Sequence, residues 1–122
     1  MKRSLIILSI IISICLCSCQ TAKAPGLYSW YGYTKAEYNL DKIADEEANN
    51  KILATYEQII NDQNGQRGVV PPGIYADYGW LLIQNNKVDE GVEMLYAEIE
   101  LYPESEVFIT RMLKELGIKW KK

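Results

Sequence analysis

Pro72-Gly73-Ile74-Tyr75-Ala76-Asp77-Tyr78-Gly79-Trp80-Leu81-Leu82-Ile83-Gln84-Asn85-Asn86-Lys87-Val88-Asp89-Glu90-Gly91-Val92-Glu93-Met94-Leu95 reads as two helices joined by a tight turn. Ile74, Tyr78, Leu81 and Leu82 recur at helical spacing and form one apolar stripe. Asn85, Asn86 and Lys87 interrupt it. Val92, Leu95, Tyr96 and Ile99 then form a second stripe at i, i+3, i+4 and i+7, and Pro103 breaks the chain again. Upstream, Ile52, Tyr56, Ile59 and Ile60 mark a further helix. Asp45, Glu46 and Glu47 suit its start, where the helix dipole is positive. Asn64 to Gly68 is a loop signal and Pro71-Pro72-Gly73 a sharp restart. Downstream, Ile109, Met112, Leu113 and Leu116 make the last stripe, with Gly117 placed as a left-handed cap. Strand alternation is absent over any useful length. The expected fold is all-α, a small antiparallel helical bundle or hairpin array.

Residues 72 to 105 also resemble one tetratricopeptide repeat unit, a helix–turn–helix of ~34 residues. Tyr75, Tyr78, Gly79 and Leu82 take its first-helix positions. Asn86 stands where the turn wants glycine, and asparagine tolerates the left-handed conformation. Gly91 stands at the small position where the helices cross, Leu95 at the large one after it, and Pro103 at the closing proline. Glu98 departs from the pattern, which prefers alanine there. A second copy is not visible. The alternative is an ordinary helical hairpin.

The beginning of the chain has the three parts of an export signal. Lys2 and Arg3 supply the positive start, Leu5 to Leu16 is apolar but for Ser9 and Ser13, and Leu16-Cys17-Ser18-Cys19 forms a lipobox. The pattern resembles bacterial lipoprotein signals, in which the cysteine receives acyl chains such as palmitate and the chain is cut just before it. Cys19 is the expected lipidation site. The apolar stretch spans ~18 Å as a helix, short of the ~30 Å a membrane core requires. The expected organisation is a signal peptide over 1–18, a tether over 19–27, a helical domain over 28–118 and a basic tail over 119–122. Gln20 after the cysteine, by resemblance to Gram-negative lipoproteins, points to a lipid anchor in the outer membrane, and the lack of an acidic run after Cys19 favours its periplasmic face.

Composition narrows the chemistry. Without Lys2 and Arg3, 11 basic residues stand against 16 acidic ones. Nucleic acid is not an expected partner, because phosphate neutralisation needs a basic surface. The chain has no histidine, which removes Ser-His-Asp and Cys-His catalysis and the usual imidazole metal sites. Once Cys15 and Cys17 leave with the signal, Cys19 is the last cysteine, and thiol chemistry goes with its acylation. No enzymatic activity, cofactor or metal is expected.

The chain resembles the lipoprotein family catalogued as domain of unknown function 4810. The carrying residues are Tyr28, Trp30, Tyr31, Gly32 and Tyr33, then the run Val70 to Gly79, then Tyr102-Pro103-Glu104-Ser105-Glu106 with Phe108. The resemblance implies an outer-membrane lipoprotein with a repeat-like helical domain, often encoded beside a lipoprotein resembling the curli export channel. It implies no catalytic residues. The expected role is a non-catalytic adaptor in an envelope assembly, with envelope proteins as partners. The alternative is a periplasmic module that contacts glycan or peptidoglycan.

Two sets of residues are candidate partner contacts. Trp30 and Tyr33 belong to the N-terminal aromatic cluster, whose rings either pack on the helical core or form a docking or glycan-stacking surface. Asp77, Trp80 and Gln84 lie on the repeat's first helix, away from Ile74, Tyr78 and Leu81. Such a helix normally lines a partner groove. An exposed Trp80 would be a binding anchor; the alternative is a ring packed on the preceding helix. The acidic residues Asp45, Glu46, Glu47, Glu98, Glu100, Glu104 and Glu106 read as solvated helix faces and helix starts, with paired-carboxylate glycoside hydrolysis as the alternative. Lys119-Trp120-Lys121-Lys122 has the composition of a bilayer contact or of a plain helix end.

Overall fold

The computed structural model describes residues 26–119, so the signal, Cys19 and the end of the basic tail, Trp120 to Lys122, lie outside the described residues. The described residues form five α-helices and no strand. These are α1 (Tyr33–Ile43), α2 (Glu46–Asn61), α3 (Ile74–Gln84), α4 (Val88–Leu101) and α5 (Glu106–Glu115), with a 3-10 turn at Pro103–Ser105 before the last. No helix among them is long and apolar enough to cross a membrane. The expected all-α class holds. The helix α1 is additional to the stripes read from sequence.

Local chemistry sets the boundaries. Asp45 is extended and its carboxylate accepts the Ala48 N–H at 2.7 Å, which caps α2 at its start. Glu46 and Glu47 follow in the first turn, where the helix dipole favours acid. Between α3 and α4 the chain reverses on Asn86, which adopts φ 64°, while the Lys87 N–H donates to the Leu82 carbonyl at 2.9 Å. At the end of α5, Gly117 adopts φ 70° and the Ile118 N–H donates to the Leu113 carbonyl at 2.9 Å.

Two apolar clusters meet on α3. Ile74, Tyr78 and Leu82 join Ala36 of α1 and Ile52, Tyr56 and Ile59 of α2. Ala76, on another side of the helix, joins Leu95 of α4 with Ile109 and Leu113 of α5. The central helix is therefore covered on two sides. The pairing of α3 with α4 is the most extensive in the fold. Gly79 and Gly91 permit it, since neither carries a side chain to hold the backbones apart.

Glu98 explains its own departure from the repeat pattern. It is 1% exposed, and its Oε1 accepts the Gly73 N–H at 2.8 Å at the start of α3 and the Ser105 hydroxyl at 3.4 Å. An alanine would leave that helix end without its acceptor. Its Oε2 is buried without a hydrogen-bond partner.

The N-terminal segment is stitched to the α2–α3 loop. Gln66 and Arg67 donate their N–H groups to the Gly26 and Leu27 carbonyls, each at 3.1 Å. Gln63 both accepts the Ser29 N–H at 3.0 Å and donates to the Ser29 carbonyl at 2.9 Å. Arg67 Nη1 donates to the Tyr28 hydroxyl at 3.0 Å. The start of the domain is thus held at one end of the bundle.

Candidate functional site

With two sides of α3 buried, a third faces outward. Asp77, Trp80 and Gln84 stand on it at i, i+3 and i+7, and all three are exposed. Trp80 retains 39% of its surface. Clefts flank this stripe on both sides. One, of about 280 Å³, has walls from α1 (Glu37, Leu40, Asp41), α2 (Tyr56) and α3 (Asp77, Trp80, Leu81, Gln84). The other, of about 590 Å³, runs between α3 and α5, with Phe108, Arg111, Met112 and Glu115 opposite Asp77 and Trp80. Asp77 and Trp80 line both clefts. They form the ridge between the two clefts, which together make a grooved face across α1, α3 and α5.

The N-terminal aromatic cluster meets this groove through Tyr33. Tyr28 and Trp30 lie edge to face at 6.1 Å, and tilted pairs follow: Trp30 and Tyr33 at 5.8 Å, Tyr33 and Tyr56 at 5.6 Å, and Tyr56 and Tyr78 at 5.6 Å. The rings make one continuous row from the surface to the core. Trp30, second in the row after Tyr28, is 45% exposed, Tyr33 is half-buried, and Tyr56 and Tyr78 are buried at the inner end. Tyr33 donates its hydroxyl to Glu37 Oε1 at 3.0 Å. Tyr38, by contrast, points away, 59% exposed, with Lys42 Nζ 5.6 Å from its ring centre.

Electrostatics within the groove follow from this packing. Burial pushes the Tyr33 hydroxyl up to about 12, and its hydrogen bond to Glu37 adds to the shift. Burial pushes Tyr56 up as well, reinforced by Tyr33. Asp77 is exposed, yet partial desolvation raises its carboxyl above the ordinary value, and the charges of Glu37 and Glu98 raise it further. Among the described residues, no group of His, Cys, Asp and Glu side chains is spaced to hold a metal ion.

The structure thus brings Asp77, Trp80 and Gln84 together in one groove and places Tyr33 at its margin. Trp30 stands one ring further out. Glu37 and Asp41 of α1, and Phe108 and Arg111 of α5, are lining residues beyond the partner contacts expected from the sequence. Their signal was present but weak. Glu37 and Asp41 are four apart on one helix face, as are Phe108 and Met112.

The described part of the chain is an all-α domain with a grooved face. The chain belongs to the family described as Domain of unknown function (DUF4810), whose model matches residues 27–112. None of the curated proteins compared with the chain matches it, and none of the solved structures does.

Proposed function

We propose that this chain is a lipid-anchored outer-membrane lipoprotein acting as a non-catalytic protein-interaction adaptor in an envelope assembly. The observation that carries the reading is Trp80, an aromatic side chain left 39% exposed on the ridge between two clefts. A large exposed ring with concave space on both sides suits a segment of a partner protein. The helical domain works as a tetratricopeptide-like unit. The close approach at Gly79 and Gly91 and the left-handed turn at Asn86 support that likeness. In this reading α1, α3 and α5 present the groove, while α2 and α4 back it.

Cys19 carries the lipid. Seven positions separate it from Gly26, where the described domain begins. A tether of that length reaches at most about 25 Å, so the groove stays close to the bilayer and meets membrane partners at raised effective concentration. The family resemblance makes a curli-export-channel-like lipoprotein the first partner to test.

Crosslinking in intact cells, followed by mass spectrometric identification of neighbours, tests the proposal. We expect one envelope protein to be captured by the wild type and lost with a folded Trp80→Ala variant. A Cys19→Ser variant should leave the membrane fraction. Recovery of the same neighbours irrespective of Trp80 would count against the groove, and unchanged membrane association of Cys19→Ser would count against the anchor.

A second reading, a module contacting periplasmic glycan, is favoured by Trp30, exposed and edge to face with Tyr28. Titrating peptidoglycan fragments while following tryptophan fluorescence separates the two. Quenching that depends on Trp30 and not on Trp80 would select the glycan.

A further inference from the structure

We propose that the segment held in the groove is cationic, an apolar-anchored peptide whose lysine or arginine side chains pair with Glu37, Asp41 and Asp77. This inference rests on the groove reading above and names the chemistry of its occupant.

The walls carry two kinds of surface. Leu40, Leu81, Trp80, Met112, Leu116 and Phe108 offer apolar contact, and Phe108 is 60% exposed. Between these lie the carboxylates. The cleft between α1 and α3 is lined by Glu37, Asp41 and Asp77 and by no cation. The cleft between α3 and α5 adds Glu115, with Arg111 as its single basic side chain. The groove is therefore net negative along its length, most strongly at the α1 end.

Among the described residues, no ion pair engages the carboxylates of either cleft. The ion pair found among the described residues joins Lys87 to Glu90 at 3.5 Å, at the start of α4 and outside both clefts. Glu37 is satisfied by the Tyr33 hydroxyl, a neutral donor. Partial desolvation raises the Asp77 carboxyl above its ordinary value, the charges of Glu37 and Glu98 raise it further, and a hydrogen bond with the Tyr33 hydroxyl offsets part of the rise. A lysine or arginine between Glu37 and Asp77 would relieve both effects. Leucine or aromatic side chains of the same segment would cover Trp80 and Phe108. Charge complementarity of this kind sets partner choice and association rate.

The test uses the full-length chain in detergent and a fluorescein-labelled probe, Gly-Lys-Leu-Lys-Leu-Lys-Leu-Gly, followed by anisotropy. A control probe carries Glu in place of each Lys. The basic probe should bind, and the acidic probe should not. The double variant Glu37→Gln with Asp77→Asn should weaken binding at least about tenfold, while Asp89→Asn with Glu93→Gln, on exposed α4 positions outside the clefts, should leave it unchanged. Raising salt should weaken binding, since exposed charges are screened within about 10 Å at 0.1 M.

No binding of the basic probe, equal binding of both probes, or binding indifferent to the Glu37 and Asp77 changes would overturn the cationic occupant. If Trp80→Ala abolishes capture of an envelope partner while those acidic changes do not, the groove stands and the cationic inference falls. If basic-probe binding ignores both Trp80→Ala and Phe108→Ala, the groove reading itself fails.

Discussion

Gly79 of α3 and Gly91 of α4 meet backbone to backbone. A Cβ on Gly79 would stand 2.6 Å from the Gly91 carbonyl oxygen, and one on Gly91 would stand 2.5 Å from the Gly79 carbonyl oxygen. Each glycine therefore makes room for the other, and the two helices approach as closely as their backbones allow. Ile83, Met94 and Leu95 fill the space beside the crossing. The position of α4 in turn holds Glu98 against the start of α3.

Gly91→Ala should destabilise the domain. The new methyl would also lie 2.6 Å from Ile83 Cγ1, so both a backbone and a side chain must give way. Overpacking of this kind costs about 1–3 kcal/mol, and a helix-propensity gain of up to about 1 kcal/mol offsets part of it. Urea unfolding followed by circular dichroism should show a lower midpoint. An unchanged midpoint would mean that α3 and α4 do not pack this tightly.

Glu98→Ala and Glu98→Gln should differ. Alanine removes the acceptor of the Gly73 N–H and of the Ser105 hydroxyl, leaving part-buried donors unpaired at a cost of about 1–3 kcal/mol. Glutamine keeps an oxygen in the same place and removes the charge whose Oε2 lacks a partner. It should retain most of the stability. Equal losses for the two variants would show that the charge, and not the acceptor, matters.

Alkaline pH should unfold the domain through its tyrosines. Tyr33 and Tyr78 are both raised from 10.0 to about 12, chiefly by burial, with Tyr78 also donating to Glu57 Oε1 at 3.0 Å. A phenol raised in the folded state contributes stability that is complete below pH 10 and lost as pH climbs towards 12. Absorbance at ~295 nm and circular dichroism should change together in that window. Replacing Tyr78 by Phe should remove one late-titrating group. Full phenolate formation without loss of helix would contradict the row of packed rings.

Trp80→Ala and Tyr56→Ala should separate surface from core. Trp80 is 39% exposed, so its removal should cost little stability while lowering partner capture at least about tenfold. Tyr56 is 5% exposed and packed between the tilted rings of Tyr33 and Tyr78, so its loss should cost about 3–5 kcal/mol. Thermal melts of the two variants, run beside the capture assay, measure the contrast. A large loss of stability in Trp80→Ala would identify its ring as a packing element.

Much of the fold was legible because its signals are local. The apolar spacing of Ile52, Tyr56 and Ile59 requires only one helix to have meaning, and those residues are buried in α2. Asp45 before an acidic pair reads as a helix start for the same reason, as Asn86 reads as a left-handed turn. The helix α1 was not legible. Of its residues only Ala36 is buried, so no apolar stripe marks its period. Glu98 looked like a flaw in a repeat, because its partner Gly73 lies twenty-five positions away.

The amino-acid order alone determined the helical segments, the turn between α3 and α4, the absence of histidine and the stripe of Asp77, Trp80 and Gln84. Each depends on residues within a few turns of one another, or on composition. Tertiary structure decided that the stripe lies on a grooved face. It also decided that Glu37, Asp41 and Asp77, from separate helices, share one cleft with no cation among its walls. Charge repulsion and concavity arise only when distant segments are folded side by side, so neither can be read from a single helical period.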